Sequence, residues 1–458
     1  MTQIHRSRLV AIAATVLATA GAGGVAPPLI HASPPSVDGA APPPLLDVAL
    51  DAAKWIRASG VRTSNGLVWP ADPRDPATIG TTLYAGTPGV VLFLLEAHRA
   101  TGRAEFLNDA KRGADHLLTT IEATQATGLY EGLAGIGFTL GEVYKATKDP
   151  TYRAGLERVV TRLGTLAHGA GRGEGVEWSN VTDIISGSAG TGLFLLYAAK
   201  TLPSEAALSL ARRAGTRLAE LGKPAEGGLM WEISPGFPRN YPNFSHGTAG
   251  VSYFLATLSK DTDNHTFLDA ALGGARYLKA IADTDGDVCL IFHHEPGDDG
   301  RHLFYLGWCH GPAGTARLWY QLYKVTGDRD WLGWADKSAR GILRSGIPEQ
   351  QTPGFWNNVS ACCGSASVAS FFLAMHQVTG NAEYLAFSRK ITASLIAKAT
   401  RDEAGTRWIQ AENRIQPDNL VAQTGWMQGA SGIGAWLLRL DAFDRKRPIA
   451  ITLPDDPF

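Results

Sequence analysis

The amino-acid sequence predicts an all-α fold, an α/α toroid built as a double ring of seven inner and seven outer helices. Three observations point there. A short glycine motif begins at Gly86, Gly132, Gly187, Gly247, Gly311, Gly364 and Gly429, at spacings of 46, 55, 60, 64, 53 and 65 residues. Recurrence at such intervals marks a repeat architecture. Each copy opens an apolar stretch of about three turns, and each stretch ends at a polar turn followed by an amphipathic segment.

The chain opens with His5, Arg6 and Arg8 and no acid before position 9, followed by small and apolar residues from Leu9 to Ala20. Ala18-Thr19-Ala20 and Ala20-Gly21-Ala22 are cleavage-type sequences. Residues 1–32 therefore read as a secretory signal peptide, too short for a spanning helix, which predicts a secreted or periplasmic protein with no stable membrane insertion after cleavage. Residues 33–47 are a Pro-rich linker that cannot be helical. The toroid is expected over 48–445, with a C-terminal tail over 446–458. The 458 residues are 45% hydrophobic with a formal net charge of −1, so the chain builds a core and offers no electrostatic case for nucleic acid or an anionic membrane. Four cysteines are too few for a disulfide framework.

Within a unit, the first helix is apolar nearly all round, as in Gly192-Leu193-Phe194-Leu195-Leu196-Tyr197-Ala198-Ala199. Turns such as Ala100-Thr101-Gly102-Arg103 and Val325-Thr326-Gly327-Asp328 end it. The second helix has one wet face: Leu332, Ala335, Ala339 and Leu343 approximate the helical period, with Lys337 and Arg340 between them. Strand-like alternation with hairpin turns is largely missing. A helix apolar on all sides must be buried on all sides, so the first helices form the inner ring. An open solenoid would need polar end repeats, yet the first and last inner stretches (Val90 to Leu95, Trp436 to Leu440) are equally apolar. Closure follows. The paired glycines allow inner helices to pack closely and direct backbone N–H groups to one end of the ring.

Equivalence of the units brings the residues before each motif glycine to a common centre. They are Ala85, Glu131, Ser186, His246, His310, Cys363 and Gln428, preceded by Tyr84, Tyr130, Ile185, Ser245, Cys309, Cys362 and Met427. A polar cluster at the mouth of an apolar ring is a candidate site. Cys309, Cys362 and Cys363 match a catalytic-type zinc site with a fourth position open. The same residues with His310 would make a closed structural site, and the adjacent pair could instead form a vicinal disulfide or stay free. His246, in the register of Cys363, is a candidate for acid/base work against a structural role. Asp183 is either a loop-capping carboxylate or a partner of His246 or the substrate. Cys289, outside the register, reads as a plain buried or edge residue. His293, His294 and His302 have no register relation to the motif and read as surface residues.

Asp183 ahead of Gly187-Ser188-Ala189-Gly190, His246-Gly247-Thr248-Ala249-Gly250, Trp308-Cys309-His310-Gly311, and Trp356-Asn357-Asn358 leading to Cys362-Cys363-Gly364 form an ordered set. Across roughly residues 48–445 this set resembles the lanthionine synthetase C-like family. The resemblance implies a double ring of seven inner and seven outer helices. It also implies a zinc enzyme that adds a Cys thiol across dehydroalanine or dehydrobutyrine to close a thioether ring. Carried over by position, Cys309, Cys362 and Cys363 would hold one Zn2+, His246 would be the acid/base residue, and Asp183 its partner. The usual third ligand is a His where this chain has Cys363; a three-thiolate variant exists in the family, and its extra negative charge should leave a bound substrate sulfur more nucleophilic. His310, an accessory candidate, is Tyr in some relatives, and Ser367 replaces the last glycine of the sixth motif, which reads as a minor change.

The expected substrate is a peptide or small thiol. A thiol with pKa about 8.5 is mostly protonated at neutral pH, so zinc would favour its attacking thiolate, and His246 as imidazolium would return a proton to the α-carbon. Only some forty residues precede the repeats, so dehydration is expected from another protein. Two other functions fit an α/α toroid. A carbohydrate-active enzyme would need a carboxylate pair, for which the register supplies Glu131 and Asp183. A non-catalytic protein would hold a thiol or peptide on zinc without turning it over.

Overall fold

The seven glycines each stand as the N-cap of a helix in extended conformation. The computed structural model describes residues 44–458; the predicted signal peptide and residues 33–43 of the linker lie outside the described residues. Helix α1 (Leu45–Ala58) precedes the first motif. Then follow α2 (Thr87–Thr101) with α3 (Ala104–Thr120), α4 (Leu133–Thr147) with α5 (Pro150–Leu166), and α6 (Ser188–Thr201) with α7 (Glu205–Leu221). The second half holds α8 (Thr248–Thr262) with α9 (His265–Ile281), the single turn α10 (Asp298–Arg301), and α11 (Pro312–Thr326) with α12 (Asp330–Arg344). It ends with α13 (Ser365–Thr379), α14 (Ala382–Ala397) and α15 (Ala430–Asp444). None of these helices is long and apolar enough to cross a membrane.

Local chemistry sets the alternation. Gly102, Gly327 and Gly380 end inner helices in the left-handed region, with φ of 70°, 73° and 73°, where a side chain would be strained. Asp149, Asn264 and Asn381 then start the outer helices by accepting from the N–H two residues on.

The inner helices neighbour one another in the order α2, α4, α6, α8, α11, α13, α15 and back to α2, which closes the ring. At three of the seven neighbouring pairs, close approach relies on a glycine five places after the motif glycine. A Cβ on Gly137 would meet Phe194 at 2.4 Å, one on Gly192 would meet Phe254 at 2.3 Å, and one on Gly434 would meet Phe93 at 2.6 Å. In each case the phenyl ring lies seven places after the next unit's glycine, and the third pair joins the last unit to the first. The seventh outer helix comes from the other end of the chain: α1 packs on α15. The ring thus begins at Leu45, three residues ahead of the expected boundary at 48.

Residues two places before the glycines, joined in unit three by Ile184 one place earlier, are stitched into a belt. Tyr84 N donates to Tyr130 O, Tyr130 N to Ile185 O, Ile184 N to Ser245 O, Ser245 N to Cys309 O, Cys309 N to Cys362 O, Cys362 N to Met427 O, and Met427 N to Tyr84 O. Every bond runs from one unit to the next, at 2.8 to 3.2 Å.

Among the described residues, five two-stranded ribbons, too short to leave a sequence period, fill connections between units. A tryptophan after four of them caps the preceding outer helix: Trp69, Trp178, Trp231 and Trp408 donate Nε1–H to the carbonyls of Ile56, Leu163, Leu218 and Leu395. The indoles thus satisfy carbonyls in the last turns of the outer helices, where the regular helical ladder runs out.

The 446–458 tail enters the ring from the end opposite the glycine motifs. Glu96 accepts from Ala450 N and Ile451 N, Lys324 donates to Pro457 O, and Phe458 stacks on Tyr320 at 4.6 Å. Asp455 has no exposed surface at all.

Candidate functional site

The belt carries the thiols together. Cys309 enters α11 and Cys362 and Cys363 enter α13, and the bond from Cys309 N to Cys362 O clamps the two loops side by side. Cys309 Sγ lies 2.9 Å from Cys363 Sγ, which lies 3.3 Å from Cys362 Sγ. All three are buried, and their sulfurs form a group of potential metal donors within 4.8 Å of one another. The separations exceed the S–S bond length of about 2.05 Å, and all three cysteines are free thiols. Three convergent sulfurs with few other polar partners suit a thiophilic ion such as zinc. His310 is not in the donor group, so the arrangement corresponds to an open three-sulfur site rather than a closed four-ligand one.

The sulfurs have a scaffold. Ser360 Oγ accepts from Cys362 N and Cys363 N at 3.3 Å each. Tyr84 donates its hydroxyl to Cys362 Sγ at 3.5 Å, receives Gln428 Nε2–H at 2.9 Å, and Gln428 Oε1 receives Asn358 Nδ2–H at 3.0 Å. Donation from Cys309 and Cys363 holds the Cys362 thiol well below its ordinary pKa, with help from Tyr84 and despite burial. Burial foremost pushes Cys309 up, and the bonds to its two neighbours push Cys363 up.

Opposite the sulfurs stands His246, half-buried, with Nδ1 2.5 Å from Asp183 Oδ2. Asp183 is buried, and its Oδ1 accepts from Ser186 N at 2.8 Å and Gly187 N at 2.9 Å. The carboxylate is therefore both a loop cap and a histidine partner. Burial works against a charged imidazole at His246, but the Asp183 charge and hydrogen bond outweigh it and raise the pKa above the usual value. Glu131, at the register position of unit two, accepts from Ser186 Oγ at 2.6 Å.

Two histidines depart from the sequence expectation. His293 and His294 are not surface residues: His294 is buried, and His293 lines the cleft with its ring 4.4 Å from His310 and 4.3 Å from Tyr305. The reason is the long connection into unit five, which folds back and pairs with unit four through Asn240 N to Glu295 O and Glu295 N to Asn240 O. The motif register says nothing about such an insertion. His302 is exposed, as read. Burial, with the positive groups His294, Arg414, His246 and Arg239, pushes His293 down to about 3. Burial and the neighbouring histidines also hold His310 well below the ordinary value. Among the cleft histidines only His246 is shifted toward the cation. Cys289 is buried away from the site, and burial pushes its thiol up to about 12.

The cleft has a volume of about 210 Å³ and joins His246, His293, Tyr305, His310 and Trp356 to the three cysteines and Tyr84. Ser367 is more than a minor change: its Oγ accepts from Trp308 N at 3.2 Å and donates to Gly364 O at 2.8 Å, tying the two cysteine-bearing units together.

A family profile described as lanthionine synthetase C-like protein matches residues 78–451. The zebrafish (Danio rerio) protein "Glutathione S-transferase LANCL1" is 21% identical over 324 residues, covering 69% of this chain and 73% of that protein. The solved structure of nisin cyclase is similar with a TM-score of 0.61 at 15% identity, covering 87% of this chain and 93% of that one. An inactive variant of an α-1,6-mannanase of Salegentibacter sp. HEL1_6 shares the toroid with a TM-score of 0.50 at 15% identity, over 87% of this chain and 99% of the other.

Proposed function

This chain belongs to the lanthionine synthetase C-like family, and on that premise we propose that it is a zinc-dependent, cyclase-like enzyme adding a Cys thiol to a dehydroamino acid to form a thioether. The observation that carries this reading is the convergence of Cys309, Cys362 and Cys363 with the His246–Asp183 pair in one cleft. A zinc ion held by Cys309, Cys362 and Cys363 would supply the Lewis acidity that favours the thiolate form of a substrate thiol at neutral pH.

The residues of the chain do the rest. Asp183 fixes Nδ1–H of His246, which leaves Nε2 as the proton-carrying nitrogen on the cleft side. Its pKa is raised above the usual value, which favours the protonated form that would deliver a proton to the α-carbon once the sulfur has joined the β-carbon. His293 and His310 stay neutral and do not compete as acids. The cleft is smaller than the roughly 300–1,000 Å³ typical of drug-sized ligand sites, so it suits a thiol side chain and a dehydro side chain from a peptide lying across the mouth, or a small thiol. The names of two relatives, nisin cyclase and a glutathione S-transferase, favour a peptide or small-thiol substrate. With residues 1–32 read as a signal peptide, that substrate is met outside the cytoplasm. Asp183 has both oxygens engaged and Glu131 is held by Ser186, which argues against a carboxylate pair working on a glycoside.

The test is metal analysis of the mature protein with X-ray absorption at the zinc edge, followed by turnover of a dehydroalanine peptide with a thiol. About one zinc per chain, with three sulfurs and one light atom that added thiol replaces, supports the reading. Absence of zinc, or a site indifferent to thiol, overturns it. Zinc with thiol binding but no thioether product leaves a non-catalytic binding protein.

A further inference from the structure

The C-terminal tail brings a carboxylate into the ring directly behind the cysteine loops. Asp455, wholly buried, accepts from Trp308 Nε1 at 3.0 Å through Oδ2 and from Tyr130 OH at 3.1 Å through Oδ1, and pairs with Arg317 at 3.3 Å. Arg317 also donates to the Asp455 carbonyl at 2.8 Å. Trp308 is the residue before Cys309, and Tyr130 occupies the belt position of unit two. Their rings pack at 5.2 Å.

Burying an ion pair with its hydrogen-bond partners is weak as a source of stability, since an apolar plug of similar volume does as well. What the carboxylate provides is direction: two indole- and phenol-borne donors from separate units converge on one fixed group. The backbone of Trp308 is held independently by Ser367 Oγ and that of Cys309 by Cys362 O. With its indole fastened to Asp455, Trp308 is held by both its backbone and its side chain, which fixes where the adjoining Cys309 starts its side chain toward the cluster. Groups outside the ligands that orient them commonly alter metal affinity by about 10–100-fold.

We propose that Asp455 is a positioning residue for the thiol cluster, acting through Trp308 on Cys309, so that the chain's own C-terminus completes the metal centre from behind. This rests on the metal reading of the cluster. A neighbouring tail residue provides the control: Asp456 is also buried and charge-paired, with Arg439 at 2.8 Å, but is not bonded to Trp308.

The experiment is competition of full-length mature protein against a chromophoric chelator for Zn2+ and Cd2+, with the Co2+ absorption spectrum as a report of thiolate geometry. Asp455→Asn is expected to weaken metal affinity about tenfold and alter the Co2+ bands. Asp456→Asn should lower thermal stability while leaving affinity and spectrum unchanged. Trp308→Phe, which keeps the ring and loses the donor, should reproduce the Asp455→Asn affinity loss and carries the test if that variant does not fold. Unchanged affinity in Trp308→Phe and Asp455→Asn, or an equal loss in Asp456→Asn, overturns the proposal while a metal-binding wild type keeps the metal reading. A wild type that binds no metal overturns that reading itself.

Discussion

His246 Nδ1 and Asp183 Oδ2 stand 2.5 Å apart, while the other oxygen of Asp183 ties down two N–H groups at the start of unit three. One carboxylate thus sets both the loop and the charge of the imidazole across from it. Because the Asp183 charge raises the His246 pKa over the opposing effect of burial, a step needing a proton on Nε2 proceeds at low pH and fails as pH rises through that raised value. In Asp183→Asn the loss should move to lower pH, read as the alkaline limb of the kcat profile. An unmoved limb would show that another group supplies the proton.

His246→Ala should lower turnover by about 100-fold or more, the usual contribution of a positioned general acid. Metal content should not change, since His246 is outside the group of sulfur donors. Loss of metal along with activity would instead make His246 part of the metal scaffold.

Replacing Cys309, Cys362 or Cys363 singly by Ala should reduce bound zinc to a small fraction of one per chain, measured by elemental analysis. Cys289→Ala should leave it intact, because that thiol is buried elsewhere. Chelation of the wild type should leave the far-ultraviolet circular dichroism unchanged, as the ring closes through helix packing and backbone bonds that need no ion.

Tyr84→Phe removes the hydroxyl between Gln428 and Cys362 Sγ. The expectation is zinc affinity about tenfold weaker, as for other groups that orient metal ligands, with little change in thermal midpoint. Chelator titration compares the two proteins, and equal affinities would remove Tyr84 from the site.

Gly192→Ala places a methyl 2.3 Å from the Phe254 ring. Overpacking of this kind costs about 1–3 kcal/mol, measured as a lower urea midpoint at unchanged slope. Pairing it with Phe254→Leu should recover part of the loss; no recovery would mean that the strain lies elsewhere.

The repeat register made the cysteine trio, His246 and the seven-membered ring legible, because each depends on one short motif placed in equivalent units. Tyr84 and Gln428 were visible as register positions, though their chain of bonds to Cys362 depends on side-chain reach. His293 was not legible: it arrives on an insertion held by the pairing of Glu295 with Asn240, which lies outside the motif register. Ser367 looked like a lapse in a glycine pattern, and only its proximity to Trp308 N reveals why an oxygen is useful there. The destination of the tail was hidden for a related reason. Nothing in the local sequence around Asp455 names partners 325 and 147 residues away.

The belt has a further consequence. A stack of helical repeats frays from its terminal units, since those have a neighbour on one side only. Here each unit passes a hydrogen bond to the next and the seventh returns it to the first, so the circle has no end from which to unravel. Solvent deuterium should therefore reach the amides of Tyr84, Ser245, Cys309 and Met427 at one common, slow rate set by opening of the whole circle. The loops that carry the thiols would be among the last parts of the molecule to come apart.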